Sequence, residues 1–208
     1  MNRLDNDIIF QIVAILILIF FYAIYIGKMV IQRRKGIQTD QIARGQKEKS
    51  LFLTEAIMKI ATYSIVIAEV ISIYFNTAFS FVIPRIIGIS FGIIGVVFFG
   101  MAVYTMRDSW RAGISKSDKT ELVVTGIFDI SRNPAFLGFN LVYIGILLMF
   151  FNWILLIFTI FAITMLHLQI LQEEKFLPIV FGENYLAYKE QTKRYFGKKV
   201  NYKKEYLN

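Results

Sequence analysis

Long uncharged stretches alternate with short polar ones along this chain, and their lengths set its architecture. From Ile8 to Gly27 no charged residue occurs, and about 20 apolar residues are enough to cross the hydrocarbon of a bilayer. A second apolar segment runs from about Leu51 to Phe75 and a third from about Phe81 to Met106. After Pro134 no formally charged residue appears until Glu173-Glu174, about twice the length that one crossing needs. Phe151-Asn152-Trp153 lies near the middle of that run and predicts a break, with helices over roughly 135–150 and 153–176 folded as a hairpin. The first of these is short for a perpendicular crossing, so it is expected to tilt or to stop before the far headgroups. The pattern therefore predicts an all-α, polytopic membrane protein of about five transmembrane helices, the last two a helical hairpin. A tail with Tyr185, Tyr188 and Tyr195 at helical spacing predicts a further, interfacial C-terminal helix anchored at the headgroups.

Charge orients this picture. The linker after the first helix holds Lys28, Arg33, Arg34, Lys35, Arg44, Lys47 and Lys49 against only Asp40 and Glu48. The loop after the third helix and the tail after the fifth are also basic, and the intervening turns are almost free of Lys and Arg. The positive-inside bias then places the N-terminus outside and the C-terminus in the cytoplasm, which requires an odd number of helices. The net charge of +8 is assigned to contact with anionic headgroups, not to nucleic acid. Asp5-Asn6-Asp7 ahead of the first run, with no small-x-small cleavage site behind it, favours an uncleaved membrane helix over a signal peptide. Residues 1–80 read as N-terminal membrane helices with a basic cytoplasmic linker, and 81–208 as the functional core of one integral membrane domain. With no cysteine, disulfides and thiolate chemistry are excluded; a single histidine, His167, excludes a histidine metal cluster, so no metal site is expected.

The hairpin brings remote residues together. If it leaves one membrane face at Pro134 and returns by Gln172, Arg132 meets Glu173 and Glu174 at a single boundary. Proline suits a first helical turn, whose free N–H groups and dipole favour an anion. Such a cluster can bind a zwitterion, its carboxylate on the arginine and helix end and its ammonium on a glutamate. It can equally be a salt bridge that pins the hairpin base. Elsewhere, Glu55 and Lys59 are spaced to neutralise each other. Glu69 either faces a lateral opening or pairs with Arg85, and the pairing is favoured. Gly88, Gly92 and Gly95 form a small-residue packing stripe. Trp110, between Arg107 and Arg111, reads as an interface anchor. His167 lies about two turns before Glu174 and either lines an acceptor tunnel or hydrogen-bonds between helices.

Two motifs carry a resemblance. Gly126-x-Phe128-x-x-x-Arg132-Asn133-Pro134-x-Phe136-x-Gly138 is followed by Glu173-Glu174-x-x-Leu177 and then Phe181-Gly182-Glu183-x-Tyr185-x-x-Tyr188. Together, over roughly residues 95–196, they resemble the membrane-integral methyltransferases that include isoprenylcysteine carboxyl methyltransferase and phospholipid N-methyltransferases, nearest to the bacterial members. The resemblance implies S-adenosylmethionine (SAM) as methyl donor, held between the hairpin and the loop before it, and a lipidic or hydrophobic acceptor drawn from the bilayer. Carried over by position, the cofactor residues are Glu121, Leu122, Val123, Phe128, Asn133, Pro134, Phe136 and Glu173. Arg132, Glu173 and Glu174 are the implied catalytic group, with His167 and Gln169 toward the acceptor. No G-x-G-x-x-G joins a strand to a helix, consistent with a non-Rossmann site.

This chain departs from the family's usual pattern where Asn133 replaces histidine, Phe128 and Phe136 replace tyrosines, and Gln169 replaces an arginine that helps recognise prenylcysteine. An amide holds a carboxylate less firmly than a guanidinium does, which counts against that substrate. The methyl transfer itself requires mainly alignment, plus a base if the acceptor is an amine or hydroxyl; Glu173 or Glu174 is then the candidate. Two other readings are a non-enzymatic membrane protein with a structural Arg–Glu cluster and an NADPH-dependent, sterol-reductase-like enzyme.

Overall fold

The computed structural model describes residues 3–44, 47–78, 81–113 and 120–198, with side chains from residue 7 onward. The stretch 114–119 of the basic loop and the tail after Lys198 lie outside these residues. Among the described residues the chain is helical without a β-strand: α1 (Arg3–Arg34), α2 (Lys49–Tyr74), α3 (Val82–Met106), α4 (Pro134–Met149) and α5 (Trp153–Gln191). Short 3₁₀ turns at Arg107–Ser109 and Gly126–Asp129 lie between α3 and α4. Helices α1, α2, α3 and α5 are each long and apolar enough to cross a membrane, which makes this a multi-pass membrane protein. Their outward positions carry Ile12, Ile19, Ile67, Ile86 and Ile160, all more than half exposed. Such faces belong in lipid.

The two hairpin helices differ in length. The 16 residues of α4 span about 24 Å, less than the ~30 Å of hydrocarbon, as its sequence predicts. The 39 residues of α5 span about 58 Å and run well past the expected end near 176. The rod is interrupted at Gly182, whose φ of 54° is a left-handed conformation that glycine adopts without a Cβ penalty. Beyond it, residues 183–191 fold onto the body: Tyr185 and Tyr188 are buried against Ala102, Ile127 and Phe128. These tyrosines are therefore packing residues, not displayed headgroup anchors.

Glycine decides how α4 is held. A Cβ on Gly145 would lie 2.7 Å from the Gly88 carbonyl oxygen and 2.8 Å from the Gly92 nitrogen. One on Gly138 would lie 2.8 Å from the Gly95 carbonyl oxygen. The predicted small-residue stripe on α3 thus meets a matching stripe on α4, and the two backbones touch.

Polar side chains tie the far end of the bundle. Asn152 breaks the apolar run as expected: its Oδ1 caps α5 by accepting from the Leu155 N–H at 2.8 Å. Its Nδ2 donates to Ser72 at 2.8 Å and to Thr77 at 2.9 Å. Asn152→Ala is expected to destabilise the protein by about 1–2 kcal/mol, the loss of a cap and of buried hydrogen bonds. Thermal melting in detergent checks this, and an unchanged midpoint would refute it. The favoured Glu69–Arg85 pair does not form. Arg85, near the start of α3, turns instead to Asp7 at 2.6 Å and Asn76 at 2.9 Å, with the Phe10 ring 4.2 Å below its charge. Glu69 is fully buried on α2, without a hydrogen-bond partner among the described residues.

At the basic end the linker after α1 lies across the bundle as a strap. Gln32 is buried and donates to the Trp110 carbonyl at 3.1 Å, while Thr39 donates to Gln32 at 2.6 Å. The backbones of Thr39 and Gln41 bracket Ala112 through hydrogen bonds of 3.0 and 2.8 Å. The expected Glu55–Lys59 pairing gives way to longer-range partners. Glu55 is buried against Lys47 and the Ala43 N–H, and Lys59 reaches Asp40 at 3.3 Å. Both α2 side chains are drawn to the strap, since it brings an ammonium and an N–H to Glu55 and a carboxylate to Lys59.

Candidate functional site

Beneath the strap lies a chamber of about 1170 Å³, larger than the roughly 300–1,000 Å³ of most small-molecule sites. One wall is built from the sequence motifs. The turn 126–129 precedes α4, and Phe128 and residues 132–136 line the cavity together with Glu121, Leu122 and Val123. Gln169 and Glu173 join them from α5. Of the twelve residues proposed from sequence, ten line this one cavity: Glu121, Leu122, Val123, Phe128, Arg132, Asn133, Pro134, Phe136, Gln169 and Glu173.

Pro134 opens α4, as expected for a residue without an N–H. Ahead of it, Ser131 accepts from the Asn133 N–H at 3.1 Å and holds the turn. The returning tail fixes the same turn from outside. The Arg132 N–H donates to the Lys193 carbonyl at 3.1 Å, and the Asn133 amide donates to the Arg194 carbonyl at 3.1 Å. Tyr188 locks it from a third side by donating to the Phe128 carbonyl at 2.6 Å.

The two glutamates part company here. Arg132 meets Glu174 at 2.8 Å, and no ion pair joins it to Glu173 among the described residues. Arg194 grips the same carboxylate with two bonds, 3.0 Å to one oxygen and 2.9 Å to the other. Those bonds raise the Arg194 guanidinium above its ordinary value. Glu174 is thus consumed in an Arg–Glu–Arg cluster, buried except on the Arg194 side, and does not line the chamber. Adjacent residues on a helix lie about 100° apart, so Glu173 faces elsewhere. It turns into the chamber and accepts a hydrogen bond from Gln169 at 3.1 Å. Its neighbours leave capacity for a ligand: the Arg132 Nε and the Gln169 carbonyl oxygen are buried without protein partners among the described residues.

His167 stacks on Tyr195, with ring centroids 5.9 Å apart, and its Nδ1 hydrogen-bonds with the tyrosine hydroxyl. It is not among the residues that line the chamber. Trp110 is no interface anchor: it is 4% exposed, packs edge-on to Tyr25 at 5.5 Å, and forms part of the wall. Gln32 of α1, itself held by Thr39 of the strap, donates to the Trp110 carbonyl. Sequence reasoning missed Arg194, Ser131 and the strap residues Thr39 and Asp40. No local spacing marks them, and the basic character of the tail was the only signal for Arg194.

Fold and cavity together define a multi-pass helical membrane protein with an aromatic, charge-lined chamber at one end. Residues 86–179 match the model of the Isoprenylcysteine carboxyl methyltransferase (ICMT) family. That segment contains nearly all of α3, all of α4 and α5 through both glutamates, so the similarity to this membrane methyltransferase family covers the hairpin and the helix it packs against. The motif residues from Phe181 to Tyr188 lie beyond it. No curated protein and no solved structure matches the chain.

Proposed function

We propose that the protein is a SAM-dependent methyltransferase acting on a lipidic acceptor at the cytoplasmic face, with its N-terminus outside and its C-terminus in the cytoplasm. The observation that carries this reading is the separation of the two glutamates. A purely structural cluster accounts for Glu174, but it leaves Glu173 facing a cavity, with the Gln169 amide as its hydrogen-bond partner among the described residues.

The residues fit SAM, which supplies an electrophilic methyl group on a sulfonium when bound. Phe128 and Phe136 offer aromatic faces for an adenine, and Leu122 and Val123 offer apolar contacts. Glu121 stands at the wall for a ribose or an ammonium group. The Arg132 Nε and the first turn of α4, from Pro134, suit a carboxylate. Glu173, oriented by Gln169, suits the cationic part of the ligand. Asn133 and Glu174 act through Arg132: the Asn133 amide approaches Glu174 at 3.4 Å, and Glu174 fixes the guanidinium. For an amine or hydroxyl acceptor Glu173 is the base on this wall, and a carboxylate acceptor needs none. His167 is assigned to acceptor contact only through movement of Tyr195, which now holds it.

Isothermal titration of detergent-purified protein tests the reading: SAM binds and S-adenosylhomocysteine competes. Glu173→Gln is expected to raise the SAM Kd at least tenfold, about 1.4 kcal/mol, by loss of a charge-assisted contact. No heat in the wild type would overturn the function, and an unchanged Kd in the variant would remove Glu173 from the site.

A further inference from the structure

The chamber has a second wall that the motifs do not supply. It comes from α1, through Ile26, Val30 and Arg33, and from α2, through Lys59, Tyr63 and Val66. The spacings of three to four residues put each set on one helix face. Ile26, Val30 and Tyr63 are 56%, 45% and 65% exposed while also lining the cavity. Residues this exposed that also line the cavity stand at its open edge, and they put that edge beside α1 and α2. On membrane-crossing helices the surroundings are lipid.

This cleft has a charged rim. Arg33 and Lys59 stand at the strap end of the two stripes, and Arg44 lines the same edge from the strap. Among the described residues Asp40 is the carboxylate that pairs with two of them, 3.2 Å from Arg44 and 3.3 Å from Lys59. Arg33 has no ion-pair partner among the described residues, which leaves three cations against one anion. We infer that the α1–α2 cleft admits a phospholipid whose chains lie between the helices and whose phosphate rests on Arg33 and Lys59. A splayed set of point charges suits phosphate, and phosphate on the rim leaves the rest of the headgroup free to reach Glu173. If the rim anion were itself the methylated group, it would have to leave these cations for a wall where Glu173 repels it. The inference rests on the methyltransferase reading for its purpose, but its geometry is independent of it.

Brominated lipids quench tryptophan on contact, and Trp110 lies in the chamber wall. In a Trp153→Phe background, brominated phosphatidylglycerol in detergent micelles is expected to quench Trp110 saturably, at least fivefold more tightly than brominated diacylglycerol or brominated fatty acid. Arg33→Gln combined with Lys59→Gln should weaken the phospholipid at least fivefold and leave the SAM Kd unchanged. Val66→Trp, read by native mass spectrometry of bound lipid, should block the cleft. Equal quenching by diacylglycerol, tighter quenching by the fatty acid, or indifference to the double variant overturns the inference. Wild-type protein that takes the phospholipid but not SAM would instead sink the methyltransferase reading and leave the cleft standing.

Discussion

Gly145→Leu is expected to prevent accumulation of a monodisperse protein, whereas Gly27→Leu leaves folding intact. At Gly145 the first added carbon would already lie 2.7 Å from one α3 backbone atom and 2.8 Å from another. Backbone atoms cannot rotate away as a flexible side chain can, so α3 and α4 must separate along the crossing. Overpacking in a yielding core typically costs roughly 1–3 kcal/mol, and this site is less yielding. Gly27 on α1 has nothing within 4 Å of an added Cβ, so it controls for the change in helix propensity and hydropathy. Size-exclusion profiles and thermal midpoints in detergent compare the two. Equal stability of both variants would mean that α3 and α4 do not cross at their glycines.

The second large effect is expected at Glu174. Glu174→Gln leaves the Arg132 guanidinium, 5% exposed, without its carboxylate. Removing one member of a buried ion pair costs about 3–5 kcal/mol, mostly the penalty of an uncompensated buried charge. Arg194→Gln is expected to cost less than half as much, since Arg194 is 36% exposed and Arg132 still neutralises Glu174. The order of the two losses is the test. If Arg194→Gln is the more damaging, the tail and not the hairpin base is what Glu174 holds together. Glu174→Gln should also loosen the turn at Asn133, visible as faster proteolysis after Arg132 and within the tail 192–198.

Much of this was legible in residue order because membrane helices announce themselves by length and apolarity. Five helices, the short first arm of the hairpin, the break at Asn152 and the start at Pro134 all followed from where charges stop and resume. The meeting of Arg132 with a glutamate some forty positions away also followed, from the hairpin alone. What pattern could not decide was which glutamate. Glu173 and Glu174 are chemically identical and adjacent, and a rotation of about 100° separates a chamber wall from a buried ion pair.

Sequence by itself determined the elements, because an uncharged run of sufficient length has only one cheap conformation in lipid, the helix that satisfies its own backbone. Tertiary structure alone decided the partners. Arg85 left Glu69 for Asp7, Glu55 left Lys59 for Lys47, and Arg194 came from beyond the matched segment 86–179 to complete the hairpin base. A charged side chain in a low-dielectric setting takes whatever counter-charge the packing brings within a few ångströms, and that distance is a property of the assembled helices, not of spacing along one of them.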